Sequence, residues 1–226
     1  MVYGNKKIKR KFIKDEAYDI ISELIVSGQL EPQKRIKIDE LSEQLGISRT
    51  PVREAILQLE NEGLIISKPN KWTIVAPINI NETLNIYPII STLESLALRL
   101  AFDKIDDSFI KSLILLNKEI KDACDHANQV EILEKDNIFH ESIIKLSGNT
   151  EIQPILVNLK KKVQRVEIYF FSESKDKYNS YYEHNKIIEN LEDKNLDGAI
   201  EALDRNWMST IKILKNLKYD TNLTKS

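Results

Sequence analysis

Two short stretches of this chain carry residue types at spacings that can do chemistry. The first is Ser48-Arg49-Thr50-Pro51-Val52-Arg53-Glu54-Ala55. Ser48 is a good helix N-cap, and Pro51 fits the first turn of the helix it opens. Arg49 and Arg53 then stand four residues apart on one face, while Val52, Ile56 and Leu59 hold the opposite face against a core. Small hydroxyls (Ser48, Thr50) and free backbone N–H groups at a helix start suit phosphates, and long cationic forks suit guanine edges. The same residues also make an ordinary capped helix, with Arg53 paired to a nearby carboxylate. The second stretch is Asp136-Asn137-Ile138-Phe139-His140. It sets a carboxylate and an imidazole at i and i+4 on one helical face, a spacing that can chelate one metal ion. Asp-x-x-x-His is common by chance, and the two other histidines, His126 and His184, carry no local signal.

The elements that position these residues read as helices. Apolar residues recur at helical spacing from Phe12 through Ile13, Ala17, Ile20, Ile21, Leu24 and Ile25, with Gly28 as a stop, which predicts a helix over about 12–27. A short helix starts at Asp39, turns Leu41 and Leu45 inward and ends at Gly46. The helix opened by Ser48 ends at Gly63. Leu64-Ile65-Ile66 and Trp72-Thr73-Ile74-Val75 read as two short strands joined by a turn at Lys68-Pro69-Asn70-Lys71. Three helices and a hairpin make a winged helix-turn-helix. After Ala76-Pro77-Ile78-Asn79 nearly everything is helical. Apolar stripes run through Ile86, Ile89, Leu93, Leu96, Leu100; through Ile110, Leu113, Leu116, Ile120; through Leu156, Leu159, Val163, Val166, Phe170; and through Leu203, Trp207, Ile211, Leu214. These stripes are expected to face the core of an all-α bundle.

Composition agrees. Of 226 residues, 42% are hydrophobic and 30% charged, enough apolar material for a packed core and too much for a disordered chain. Six Gly and six Pro are roughly half the usual share, which disfavours a β-sandwich or a Gly-rich nucleotide-binding fold. The single cysteine, Cys124, permits no intrachain disulfide and no cysteine-based zinc site. No apolar run approaches the ~20 residues of a membrane span, and no apolar signal core follows Met1-Val2-Tyr3-Gly4, so a cytoplasmic location is expected. The net charge of −2 decides nothing about nucleic acid, but residues 1–75 hold 13 Lys and Arg against 11 Asp and Glu, whereas the remainder holds 20 against 24. Lys6, Lys7, Lys9, Arg10, Lys11 and Lys14 cluster at the basic end, as a solvated terminus or as an arm that touches phosphates.

The stretch from Ile20 to Val75 resembles the winged helix-turn-helix of GntR-type transcription regulators. The resemblance rests on Gly28-x-Leu30-x-Pro32, on Leu41-Ser42-x-x-Leu45-Gly46-Ile47-Ser48-Arg49-Thr50-Pro51-Val52-Arg53-Glu54-Ala55-Ile56, and on Leu59-x-x-Glu62-Gly63-Leu64-Ile65. It implies that Arg49 and Arg53 contact double-stranded DNA, with Ser48, Thr50 and Pro51 around them, and that the wing tip at Asn70 and Lys71 reaches the minor groove. Three positions depart from the pattern. Gln33 stands where the family has Gly, Trp72 stands near the usual wing glycine, and Asp39 takes the place of a DNA-contacting arginine.

Residues 82–215 resemble the FCD effector domain of the FadR branch. The residues that carry this are Leu93-Glu94 with Ala97 and Ala101, Asp136-x-x-Phe139-His140, Leu146-Ser147-Gly148-Asn149 and Glu183-His184-x-x-Ile187. Many such domains hold a divalent metal, zinc or nickel, with one Asp and three His. The resemblance assigns the first three ligands to Asp136, His140 and His184. The fourth falls on Asn206, whose neutral amide binds borderline-soft metals weakly or through water. It also implies a small carboxylate effector. Ile90 replaces one arginine of the usual carboxylate grip, which leaves Arg165, Asn149 and Tyr169 to line the pocket.

The expectation is therefore a mainly α chain. It has a winged helix-turn-helix over residues 1–76 (helix-turn-helix about 38–57, wing about 64–75), a linker at 77–81 and an all-α domain over 82–220. It would act as a homodimeric repressor on a palindromic operator and answer to a small-molecule effector. Two other readings stand beside it: a DNA-binding regulator with a vestigial pocket, and a metal-dependent hydrolase built on Asp136, His140 and His184. The hydrolase lacks a convincing general base, since Glu141 and Glu183 are neighbours in sequence only.

Overall fold

The computed structural model describes residues 13–69, 71–126, 128–171 and 178–223. Two compact units divide at Ile78 and Asn79. Of the basic terminal cluster only Lys14 is described; Phe12 and Asn70 also lie outside the described residues.

The first unit is built on helices α1 (Ile13–Val26), α2 (Ile38–Gln44) and α3 (Arg49–Asn61) and strands β1 (Ile65–Lys68) and β2 (Trp72–Val75). In α1 the inward side chains are Ala17, Ile21 and Ile25, one per turn, while Ile13 and Ile20 of the expected stripe face solvent. They pack on Leu41, on Val52, Ala55, Ile56 and Leu59 of α3, and on Leu64, Ile65 and Val75. The strands pair antiparallel, Ile65 opposite Val75 and Lys68 opposite Trp72. The segment around Arg35 adds a third edge. Arg35 bridges Ile74, and backbone bonds join Gln33 N–H to Val75 and Ile36 N–H to Thr73. Gln33 adopts φ 67, the left-handed conformation for which the family pattern has glycine.

The second unit is all helical: α4 (Ile80–Leu84), α5 (Tyr87–Ala101), a 3₁₀ turn (Phe102–Lys104), α6 (Asp107–Asp125), α7 (Gln129–Ser147), α8 (Ile152–Phe171), α9 (Asn179–Glu192) and α10 (Leu196–Leu223). Asn79 caps α4, accepting from the N–H groups of Asn81 and Glu82, so part of the segment read as linker is helical. Helix α5 packs against α7, α8 and α10; α9 packs against α6 and α10.

Two of the expected stripes are corrected. In α5 the core face is Tyr87, Ile90, Glu94, Ala97, Leu98 and Ala101, while Ile89, Leu96 and Leu100 are 49%, 43% and 44% exposed. In α8 Lys160, one residue beyond the half-buried Leu159, is the buried side chain between Leu156 and Val163. Both corrections bring charged groups into the bundle, and those groups surround the second candidate site.

Candidate functional site

The amino end of α3 is open. Ser48 has the extended backbone of an N-cap (φ −71, ψ 162), yet its hydroxyl makes no capping bond, contrary to its expected local role. Pro51 brings no N–H to this end. The N–H groups of Arg49 and Thr50 therefore point outward with the partial positive charge of a helix start. Ser48, Arg49, Thr50 and Arg53 are exposed, and Val52 is fully buried. Arg53 has no ion-pair partner among the described residues, so the pairing considered for it is absent. Arg49 does pair: its Nε stands 2.8 Å from Asp39 Oδ1. The carboxylate that replaces a family arginine thus orients the neighbouring one. Lys71 is exposed at the end of the wing turn, and Arg35 donates to its carbonyl at 2.9 Å. Arg35 carried no signal in the sequence, because that contact depends on the fold of the third edge.

In the helical unit the fold brings Asp136, His140 and His184 together. Helix α7 supplies Asp136 and His140 one turn apart, and α9 supplies His184. His140 Nε2 is 3.2 Å from His184 Nε2 and 3.7 Å from Asp136 Oδ2, and His184 Nε2 is 3.5 Å from Asp136 Oδ1. Donors about 2.0–2.1 Å from one tetrahedral ion are separated by roughly 3.3–3.4 Å, so these three fit the corners around a single cation. Asp136 Oδ1 and His184 Nδ1 are buried and make no hydrogen bond, a costly state unless something else meets them. Phe139 stacks on the His184 ring with centroids 3.9 Å apart, which fixes its plane.

A second layer of charge holds His140. Its Nδ1 lies 2.8 Å from Glu94 Oε2 on α5. That contact keeps the proton on Nδ1 and turns the Nε2 lone pair toward Asp136 and His184. The other oxygen of Glu94 is 2.6 Å from Lys160 Nζ on α8, and Trp207 of α10 donates its Nε1–H to Glu94 at 2.9 Å. Burial alone would push the Glu94 carboxyl up, but its interactions with His140 and Lys160 outweigh it and hold it well below the usual carboxylate range. His184 is pushed the other way: burial, then the neighbouring His140, keep it neutral. Nearby, Tyr87 donates to Glu167 at 2.8 Å, and burial raises Glu167 to about 7.

The remaining site residues are placed as follows. Asn206 is buried, but its amide donates to Glu183 at 3.2 Å, and Ser209 donates to the same oxygen at 3.0 Å. Arg165 is buried in α8, where burial lowers its guanidinium to about 10. Asn149 lies beyond the end of α7 and closes the turn into α8, accepting from Glu151 N–H at 3.0 Å. That turn is more than two helical turns past His140 along the chain. Tyr169 is 60% exposed. The residues that sequence reasoning missed are Lys160, Glu167 and Tyr87, together with the structural use of Glu94 and Trp207. The available signal was a lysine and a glutamate at core spacing within an apolar helix.

Both units match known families. The FCD domain family matches residues 85–207, and the bacterial regulatory proteins of the gntR family match residues 13–75. The chain belongs to the GntR family. This GntR-family chain is 25% identical over 186 residues to the HTH-type transcriptional regulator YdhC of Bacillus subtilis, covering 80% of the chain and 82% of that protein. It is 31% identical over 143 residues to the Nta operon transcriptional regulator of Aminobacter aminovorans, covering 62% and 67%. It is 25% identical over 215 residues to the gluconate operon transcriptional repressor of Bacillus subtilis, covering 88% of each. Its fold is that of Escherichia coli McbR/YncC, with a TM-score of 0.81 at 20% identity over 92% of this chain and 99% of that one. The chain is accordingly a DNA-binding transcription regulator and not an enzyme, which removes the hydrolase reading. Among the described residues no helix is long and apolar enough to cross a membrane.

Proposed function

We propose that this GntR-family regulator is a homodimeric, cytoplasmic repressor that reads a palindromic operator and is controlled by a small carboxylate at a divalent metal. The observation that carries the metal is the convergence of Asp136, His140 and His184 at separations of 3.2, 3.5 and 3.7 Å. Bound there, zinc or nickel supplies positive charge and open positions for a carboxylate oxygen. Glu94 holds His140 in its tautomer, Phe139 holds the His184 ring, and Asn206 stands in the fourth family position as a weak or water-bridged partner. Arg165 supplies a further cation on α8.

At the other end of the chain, Arg49 and Arg53 read base edges in the major groove. Ser48, Thr50, Pro51 and the free N–H groups of α3 settle on phosphates, and Asn70 and Lys71 carry the wing toward the minor groove. The effector acts as a switch only if it binds one arrangement of the DNA-binding units better than the other; the segment near Pro77 transmits that preference.

A second reading, a regulator without an effector, is favoured by one observation: the Asn206 amide is bonded to Glu183. Thermal unfolding of chelator-treated protein with and without added zinc or nickel separates the two. A metal-dependent rise in Tm that is lost in His140→Ala supports the metal-bearing site. A rise that survives in His140→Ala places the metal elsewhere, and no rise leaves the second reading.

A further inference from the structure

Asp39 and Glu40 both lie in the first turn of α2, where a carboxylate favours the helix dipole. Glu40 stays within its own helix end: Lys37, at the N-cap, pairs with it at 2.6 Å. Asp39 reaches out of its helix instead. Its Oδ1 stands 2.8 Å from Nε of Arg49, the first residue of α3. Arg53, one turn further along, has no ion-pair partner among the described residues. The two arginines of the reading segment are therefore unlike, one held by a carboxylate and one not. Both partners of the held pair are well exposed, by 61% and 68%. An exposed pair adds little to stability, so its use is in orientation rather than in holding the fold.

The donors of a guanidinium lie in one fixed fork. An acceptor on the Nε side leaves the far edge, where each Nη directs one N–H, for a second acceptor. That edge matches O6 and N7 of guanine, the pair that an arginine reads bidentately in the major groove. Phosphates suit Arg49 less well. Phosphate binding scales with the positive charge brought to the backbone, and Arg49 with Asp39 brings no net charge. Any register in which Arg49 leaves Asp39 for a phosphate also sets an unpaired carboxylate against the negative duplex, and that repulsion rejects the register. We propose that Asp39 is a specificity-determining positioning residue: it holds Arg49 end-on to a guanine and off the phosphates, so that Arg49 supplies discrimination rather than general affinity. The inference rests on the reading of base edges by Arg49 proposed above.

The full chain is tested by selection from a randomised duplex pool. Base preferences are read position by position for wild type, Asp39→Asn, Arg49→Ala and the double variant. Asp39 is exposed and Asn has its shape, so Asp39→Asn leaves the core untouched. Wild type is expected to prefer guanine about 5- to 150-fold at the position that Arg49 reads, and Arg49→Ala to lose that preference. Asp39→Asn is expected to lower it about two- to fivefold and to leave the other positions unchanged. On a mixed-sequence duplex Asp39→Asn is expected to bind more tightly, with a salt slope steeper by about 0.9, the equivalent of one more phosphate contact. On the Arg49→Ala background Asp39→Asn is expected to change no base preference. If guanine preference and salt slope are unchanged in Asp39→Asn, the inference is overturned and Arg49 stands as a base reader. A change in preference that persists without Arg49 overturns it too, since Asp39 then touches the DNA on its own. If Arg49→Ala keeps every base preference, Arg49 reads no base, and both the reading and the inference fall.

Discussion

Glu167 lets burial be read as a pH dependence. The folded chain raises this carboxyl from its ordinary 4.5 to about 7; burial is the largest cause, the Asp136 charge adds to it, and the Tyr87 bond and the Lys160 charge oppose it. Below pH 4.5 both folded and unfolded chains hold the proton, and the group costs nothing. Between 4.5 and 7 only the folded chain holds it, so stability falls as pH rises, by about 1.4 kcal/mol for each pH unit. Above 7 both have lost it and the full cost, about 3 kcal/mol over that interval, is present. Glu167→Gln keeps an acceptor for the Tyr87 hydroxyl and cannot ionise. In chelator-treated protein, urea unfolding of Glu167→Gln and wild type is expected to give stabilities within about 1 kcal/mol of each other at pH 5. The variant is then expected to gain by about 3 kcal/mol at pH 8. Taking the difference between the two proteins cancels the titrating groups that do not interact with Glu167. A gap that stays constant from pH 5 to pH 8 would refute a buried, proton-holding Glu167.

Three further outcomes are expected. Arg53→Ala is expected to cost about 1–3 kcal/mol of specific operator binding, measured by titration at fixed salt; undiminished discrimination against nonspecific DNA would remove Arg53 from base reading. Lys160→Met leaves the buried Glu94 carboxylate without its lysine partner, and a loss of about 3 kcal/mol in urea unfolding is expected. A loss below about 1 kcal/mol would mean that the pair adds little over apolar packing. Gln33→Gly relieves a left-handed backbone (φ 67) and is expected to stabilise the DNA-binding unit by about 0.5–1 kcal/mol; a lower melting temperature would show that the Gln33 side chain offsets the strain.

Much of this molecule is legible without coordinates where the deciding signal is local. Gly46 ends the helix before the reading segment and Gly63 ends the helix that carries it, and both take positive φ. Ser48, Pro51, and the periodicity of Val52, Ile56 and Leu59 place α3 to within a residue. Asp136 and His140 are brought together by helix geometry alone, since four residues make one turn. His184 and the place of Asn206 came from family resemblance, not from any local rule.

What periodicity could not decide was which side of a helix faces in. Helix α5 is apolar on most of its circumference, so the stripe of large aliphatics and the stripe that includes Glu94 were both eligible for the core. The choice was made by partners far along the chain: His140 46 residues on, Lys160 66 residues on and Trp207 113 residues on. Burying Glu94 is tolerable only when those three meet it together, and none of them is visible from α5's own sequence. The same holds for Asn206, whose amide went to Glu183. Capping and turn chemistry act over a few residues and so are written in the sequence. Compensation of buried charge is a many-body condition across the bundle, and only the packed structure satisfies it.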